Sequence, residues 1–233
     1  MIDIIPAIIP ESVADLRERL SRVRGAVSSV QIDIVDGVFA RPARFPMREK
    51  DEEEWRSLVR RDISLPYADE FYFEADMMVS HPENMVEDFV FAGFDRFVFH
   101  LKSAPPSALF EAIEKARLLD AEAGIALGVE DDVSLIDEWI DRIQFVQCMG
   151  IAHIGRQGEP FDPRVVGNVE RLRERFSDII ISVDGGVNEK TIPFLAPAGA
   201  RRFVAGSAVF GSDNPAHAIE ILRRVAEAAE SEG

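Results

Sequence analysis

Three aspartates that interrupt apolar runs are the residues of this 233-residue sequence most able to do chemistry. Asp33 lies in QIDIV, Asp76 lies in FEADMM, and Asp184 ends ISVD just before two glycines. Carboxylates gathered at one end of a fold repel one another unless a proton, a cation or a substrate compensates their charge. We therefore predict a functional site whose chemistry is proton transfer, cation binding or both.

Other polar residues in these runs leave two interpretations open. Asp36, directly after the second run, either serves the site or caps the loop that follows, as strand-end aspartates often do. His100, at the end of the fourth run, is either a functional residue or a hydrogen-bonded packing residue. Glu74 shares a strand face with Asp76 because alternate residues of a strand point the same way.

Two glycine-containing turns near the carboxyl terminus predict a phosphate site. Gly185 and Gly186 follow the seventh apolar run, and Gly206 and Ser207 follow the eighth. In eight-stranded barrels, the loops after strands seven and eight present backbone amides at a short helix and hold phosphate. We therefore expect a phosphorylated ligand at these two turns.

A third glycine segment, residues 155–158, could add a loop over that ligand. We predict a substrate contact at Gly158. Arg156 could contact the ligand as well, although a solvated arginine is the simpler interpretation.

The elements that position these residues repeat along the chain. Short apolar runs alternate with segments of helical spacing, which predicts parallel strands joined by right-handed crossovers. The runs are residues 3–9, 27–35, 71–79, 96–100, 124–129, 143–149, 179–184 and 202–205. Eight such units in this length predict an α/β fold, the TIM (β/α)8 barrel. A doubly wound open sheet is the main alternative, because the sequence does not show where the last strand pairs.

We interpret residues 1–233 as a single domain, because no Pro- or Gly-rich linker divides them. One segment, residues 41–70, is long, polar and charged. Its acidic run at 51–54 favours a solvated helix whose first turn suits the helix dipole. The alternative is a loop that closes over the active face.

Composition excludes several classes of partner. The 26 basic and 42 acidic residues give a net charge of −16, which disfavours nucleic acid. The single cysteine, Cys148, cannot form an internal disulfide, and no apolar window is long enough to span a membrane. The first residues lack the pattern of a signal peptide, so we expect a cytoplasmic protein.

These features resemble the ribulose-phosphate 3-epimerase family over nearly the whole chain. The most specific matches are residues 31–37, 99–100, 149–161, 183–187 and 204–210. The resemblance implies a barrel that interconverts D-ribulose 5-phosphate and D-xylulose 5-phosphate by proton transfer at C3 through an enediolate. It also implies a homo-oligomer and a divalent metal.

The resemblance assigns roles to individual residues. Asp33 and Asp184 match the two catalytic aspartates. The remaining matches are substrate contacts at Gln31, Met78, His100, Met149 and Gly158, and phosphate contacts at Gly185, Gly186, Gly206 and Ser207.

Two metal-binding histidines of the family are replaced in this chain. They fall on Gln31 and Asp76, while a serine of the family becomes Ala7 and a methionine becomes Val35. What remains is an all-oxygen set, Asp33, Asp76 and Asp184 with the Gln31 carbonyl as a further candidate, which suits Mg²⁺, Mn²⁺ or Ca²⁺ better than Zn²⁺ or Fe²⁺. Alternatively no metal binds, and a neutral carboxylic acid donates a hydrogen bond to the enediolate.

Two further functions stay open. One is a phosphate-binding barrel of changed, lyase-type reaction. Related barrels of that kind place a lysine beside an aspartate, and the only nearby candidate is Lys102, which we interpret as an exposed loop residue. The other is a catalytically inactive paralogue that binds a sugar phosphate; the lost histidines favour it and the retained aspartates oppose it.

Overall fold

Eight strands account for all eight predicted apolar runs in the computed structural model, which describes residues 2–155 and 158–232. They are β1 (Asp3–Ile8), β2 (Ser29–Val35), β3 (Tyr72–Met78), β4 (Arg96–His100), β5 (Glu122–Leu127), β6 (Phe145–Met149), β7 (Ile180–Asp184) and β8 (Arg202–Ala205). The strands form a closed parallel barrel in sequence order, with β8 paired to β1. The predicted barrel is confirmed, and the open-sheet alternative is wrong.

Helices fill most of the intervals between the strands. In the described residues they are α1 (Val13–Ser21), α2 (Glu52–Val59), α3 (Val86–Ala92), α4 (Pro106–Leu118), α5 (Arg164–Arg175), α6 (Ile192–Ala198), α7 (Ser207–Phe210) and α8 (Pro215–Glu232). Among the described residues, side chains cap two of them: Ser12 accepts from the Asp15 amide at 3.1 Å, and Asn214 accepts from the His217 amide at 3.2 Å. Such caps satisfy first-turn amides that have no partner within the helix.

The chain divides into two compact units. The first unit, residues 7–124, contains β2 to β4 with α1 to α4, and the second unit comprises residues 1–6 and 125–233. An aromatic cluster fills part of the first unit, where the rings of Phe73 and Phe89 both lie edge-on to Phe94 at centroid distances of 6.1 and 5.2 Å. Our single-domain interpretation of residues 1–233 stays a prediction.

The polar segment 41–70 contains α2, whose first turn carries Glu52, Glu53 and Glu54. The predicted helix with an acidic first turn is confirmed. Asp51, just before α2, is instead buried and pairs with Arg48 at 2.6 Å; Arg48 also bonds to Glu11. These ion pairs fix the segment to the residues between β1 and α1.

Among residues 2–155 and 158–232, no helix combines the length and the apolar character needed to cross a bilayer.

Candidate active site

The first unit holds Asp33 in place with an amide from its own strand. Gln31 and Asp33 are alternate residues of β2, so their side chains share a face. Both are buried, and Gln31 Nε2 donates to Asp33 Oδ1 at 2.9 Å. Gln31 therefore orients the carboxylate two residues further on.

Asp76 and His100 form a second buried pair in the same unit. Asp76 is fully buried on β3, and His100 Nε2 donates to its Oδ1 at 2.7 Å. The other oxygen, Oδ2, has no hydrogen-bond partner among the described residues. A buried carboxylate oxygen without a partner is costly, so its position favours a cation or a ligand donor beside it. This orphaned oxygen, in an all-oxygen donor set, fits a hard divalent cation.

The hydrogen bonds of Asp36 give it a structural role. Its Oδ1 accepts from the amides of Val38 and Phe39 at 2.7 and 2.8 Å, and its Oδ2 accepts from Ser80 N and Oγ at 2.8 and 2.9 Å. Partial burial opposes its ionisation, but these hydrogen bonds outweigh that effect and lower the pKa of Asp36. The capping interpretation is confirmed, and Asp36 ties the loop after β2 to the loop after β3.

Glu74 shares its strand face with Asp76 but belongs to a different contact. Across the β3–β4 ladder Glu74 lies opposite Arg96, and their side chains pair at 3.0 Å. Arg96 also bonds to Glu122 at 2.7 Å and lies over the Tyr72 ring. Glu74 is therefore neutralised by a buried arginine, which gives it a structural role.

The predicted methionine contacts are buried at the ends of their strands. Met78 ends β3 and pairs with Val35 of β2, and Met149 ends β6. Lys102 is exposed beyond β4, as we interpreted it from the sequence.

Burial raises the pKa of the Cys148 thiol to about 12, so it is not a nucleophile at neutral pH.

In the second unit Asp184 ends β7 and is only half-buried. Gln147 of β6 donates from Nε2 to Asp184 Oδ2 at 3.4 Å and also approaches Met149 Sδ at 3.9 Å. Ser182 Oγ in turn donates to Gln147 Oε1 at 3.5 Å. Sequence reasoning missed Gln147, although an amide two residues before Met149 in an apolar strand was a usable signal.

The turn after β7 needs its glycines for backbone reasons. Gly185 and Gly186 have φ angles of +99° and +69°, a region that strains other residues. A Cβ on Gly185 would lie 2.7 Å from Ile151, and one on Gly186 would lie 2.8 Å from Phe161 Cβ. This turn therefore packs tightly against the residues that follow β6.

The turn after β8 leads directly into α7. The carbonyl of Gly206 accepts from the amides of Val209 and Phe210 at 3.1 and 2.9 Å, and Ser207 is exposed. First-turn amides of a helix lack helical acceptors, so they are available to a ligand. Gly158 is exposed with φ +82°, whereas Arg156 lies outside the described residues.

A closed (β/α)8 barrel with polar side chains at the carboxyl ends of its strands defines the class: a barrel of the kind that carries enzyme sites at that face. The chain belongs to the ribulose-phosphate 3-epimerase family, whose model matches residues 3–210.

Named relatives agree with this assignment. Ribulose-phosphate 3-epimerase of Candida glabrata is 30% identical over 94% of this chain and 90% of its own, and that of Bacillus subtilis is 27% identical over 96% and 99%. Among solved structures, a 3-hexulose-6-phosphate synthase aligns with a TM-score of 0.70 at 23% identity over 96% of this chain and 98% of its own. The 3-keto-L-gulonate-6-phosphate decarboxylase of Vibrio cholerae aligns with a TM-score of 0.67 at 15% identity over 98% of this chain and 97% of its own. At these identities, the two structures show the fold alone.

Proposed function

We propose that this protein is a ribulose-phosphate 3-epimerase that interconverts D-ribulose 5-phosphate and D-xylulose 5-phosphate. The observation that carries the proposal is the family match over residues 3–210 together with aspartates at both matching positions, Asp33 on β2 and Asp184 on β7. The carboxyl ends of all strands of a barrel open onto one face, so we place both aspartates in one site there.

Each aspartate serves one face of the sugar. One carboxylate takes the proton from C3, and the electrons of the C–H bond form the C2–C3 double bond of an enediolate whose negative charge lies on O2. The other aspartate, in its acid form, gives its proton to C3 from the opposite side. The two aspartates thus exchange protonation states in each turnover, and the amides of Gln31 and Gln147 hold them in position.

Asp33, Asp76 and Asp184 would hold a divalent cation. When bound, it would polarise the C2 carbonyl and stabilise the negative charge of the enediolate. Oxygen-only ligands favour Mg²⁺ or Mn²⁺ over Zn²⁺ or Fe²⁺, and the orphaned Oδ2 of Asp76 supports the presence of a cation.

The phosphate would bind at the backbone amides around Gly185, Gly186, Gly206 and Ser207. Met78, His100, Met149 and Gly158 would line the sugar. Small phosphorylated sugars are therefore the expected partners, and assembly into a homo-oligomer in the cytoplasm stays a prediction.

A coupled assay for xylulose 5-phosphate tests the proposal. Wild-type protein with Mg²⁺ or Mn²⁺ should convert ribulose 5-phosphate, and Asp33→Asn should slow conversion by about 10²–10⁴-fold while circular dichroism stays unchanged. Full activity of Asp33→Asn would overturn the assignment. Binding of ribulose 5-phosphate without any turnover would indicate the inactive paralogue, and cleavage products would indicate a lyase-type reaction.

A further inference from the structure

His100 and Asp76 meet because of the register between two neighbouring strands of the first unit. Asp76 on β3 lies opposite Val98 on β4, and His100 follows Val98 by two residues on the same strand face. The imidazole therefore lies two residues nearer the carboxyl ends of the strands than Asp76. From there its Nε2 reaches back to Asp76 Oδ1 at 2.7 Å.

The loop after β2 also contacts the imidazole. The Phe39 ring lies against the His100 ring with centroids 5.6 Å apart. Phe39 is held by its own amide, which donates to Asp36 at 2.8 Å, and Asp36 also binds Ser80 in the loop after β3. His100 is only 4% exposed and contacts both Asp76 and Phe39, so its ring has little freedom to leave the carboxylate.

The two carboxylate oxygens of Asp76 have different surroundings. Oδ1 is occupied by the imidazole, whereas Oδ2 is buried and has no hydrogen-bond partner in the described part of the chain. Partners that fix a ligating carboxylate commonly change metal affinity by about 10–100-fold. A ligating carboxylate needs such support, because it has two oxygens and can rotate.

We propose that His100 is a positioning residue that locks the Asp76 carboxylate so that Oδ2 serves as a cation ligand. The proposal rests on the proposed function, because it takes the cation of that site as given. It also explains why a histidine with its Nε2 on a carboxylate is buried at this strand end.

Manganese binding to the purified protein tests the proposal without relying on activity. The free Mn²⁺ signal in electron paramagnetic resonance gives the dissociation constant of wild type, His100→Leu and His100→Gln. His100→Leu fills the space but removes the donor, so Mn²⁺ affinity should fall by about 10–100-fold. The glutamine amide can donate from a similar position, so His100→Gln should bind closer to wild type than to the leucine variant.

Phe99→Leu is the matched control, because Phe99 is the buried neighbour of His100 on β4 and points to the opposite face. It should bind Mn²⁺ as wild type does, and thermal unfolding should show all variants folded. Unchanged Mn²⁺ affinity in His100→Leu would overturn the positioning role and leave the proposed function intact. If the wild type epimerised but bound no Mn²⁺, both the positioning role and the cation site would be overturned. If His100→Leu weakened Mn²⁺ binding but the wild type never epimerised, the positioning role would be supported and the proposed reaction refuted.

Discussion

Asp33 and Asp184 have unlike surroundings, although the proposed reaction gives them mirror-image tasks. Asp33 lies inside β2, is 8% exposed, and accepts from Gln31 of its own strand at 2.9 Å. Asp184 ends β7, is more exposed, and has Gln147 of the neighbouring strand at 3.4 Å. A turn of two glycines with positive φ follows it directly. One carboxylate is thus fixed by regular strand geometry, whereas the other depends on a turn that only glycine fits well.

Replacing either catalytic aspartate should have the largest effect on kcat, and the loss should be similar for the two. Asp33→Asn and Asp184→Asn each remove one of two obligatory proton carriers, so kcat should fall by about 10²–10⁴-fold in both. Steady-state assays in the two reaction directions measure this. If one variant kept near-normal kcat, the two aspartates would not share the reaction.

The turn after β7 should be more sensitive to substitution than an open glycine. Gly186→Ala combines a positive φ with a Cβ 2.8 Å from Phe161 Cβ and should lower the free energy of unfolding by about 1–3 kcal/mol or more. Urea unfolding measures this loss.

Gly158→Ala is the control for that prediction. Its φ of +82° is similar, but nothing lies within 4 Å of the added Cβ. Gly158→Ala should lower the free energy of unfolding by less than Gly186→Ala does. Equal costs would mean that φ alone, rather than packing against Phe161, makes the turn after β7 demanding.

The two glutamines should differ in importance. Gln31→Leu removes a 2.9 Å hydrogen bond to a carboxylate, a contact worth about 1.5–3 kcal/mol, so kcat/KM should fall by about tenfold or more. Gln147→Leu removes a longer hydrogen bond, at 3.4 Å, and should lower kcat/KM by less than Gln31→Leu does. Kinetics of the two variants side by side decide the point, and a larger loss in Gln147→Leu would reverse the comparison.

Asp36 should give the smallest effect, visible in the pH dependence of stability. Its lowered pKa means that the carboxylate contributes stability above the unfolded-state pKa of about 3.9, and that this is lost as pH falls through the folded-state value. Asp36→Ala should therefore lower the free energy of unfolding by about 1 kcal/mol at pH 7. Urea unfolding from pH 7 to pH 3 should show the gap between variant and wild type closing below about pH 4. A gap that is constant with pH would mean that the carboxylate charge is unimportant there.

Strand positions could be predicted well because apolar runs and turn residues are local signals. The runs at 96–100 and 202–205 coincide with β4 and β8, whereas β5 begins two residues before the predicted run, at Glu122. Glu122 is polar because it binds Arg96, and apolar patterning does not detect such a residue.

The residues of the candidate site could be proposed from the sequence, but the contacts between them could not. Asp33, Asp76 and Asp184 stand out because carboxylates in apolar strands are rare. The contact of His100 with Asp76 depends on the β3–β4 register across 24 residues, which local patterns do not encode. Gln147 escaped notice for a similar reason, since its partner Asp184 lies 37 residues away on another strand.

The central claim, proton exchange between two aspartates across one sugar, is tested most directly by proton NMR of D-ribulose 5-phosphate in D₂O with Mg²⁺ or Mn²⁺. The account predicts D-xylulose 5-phosphate carrying one solvent deuterium at C3, because the proton removed by one aspartate is not the one returned by the other. Product that retained the original proton at C3 through many turnovers, or no exchange under any metal condition, would contradict it.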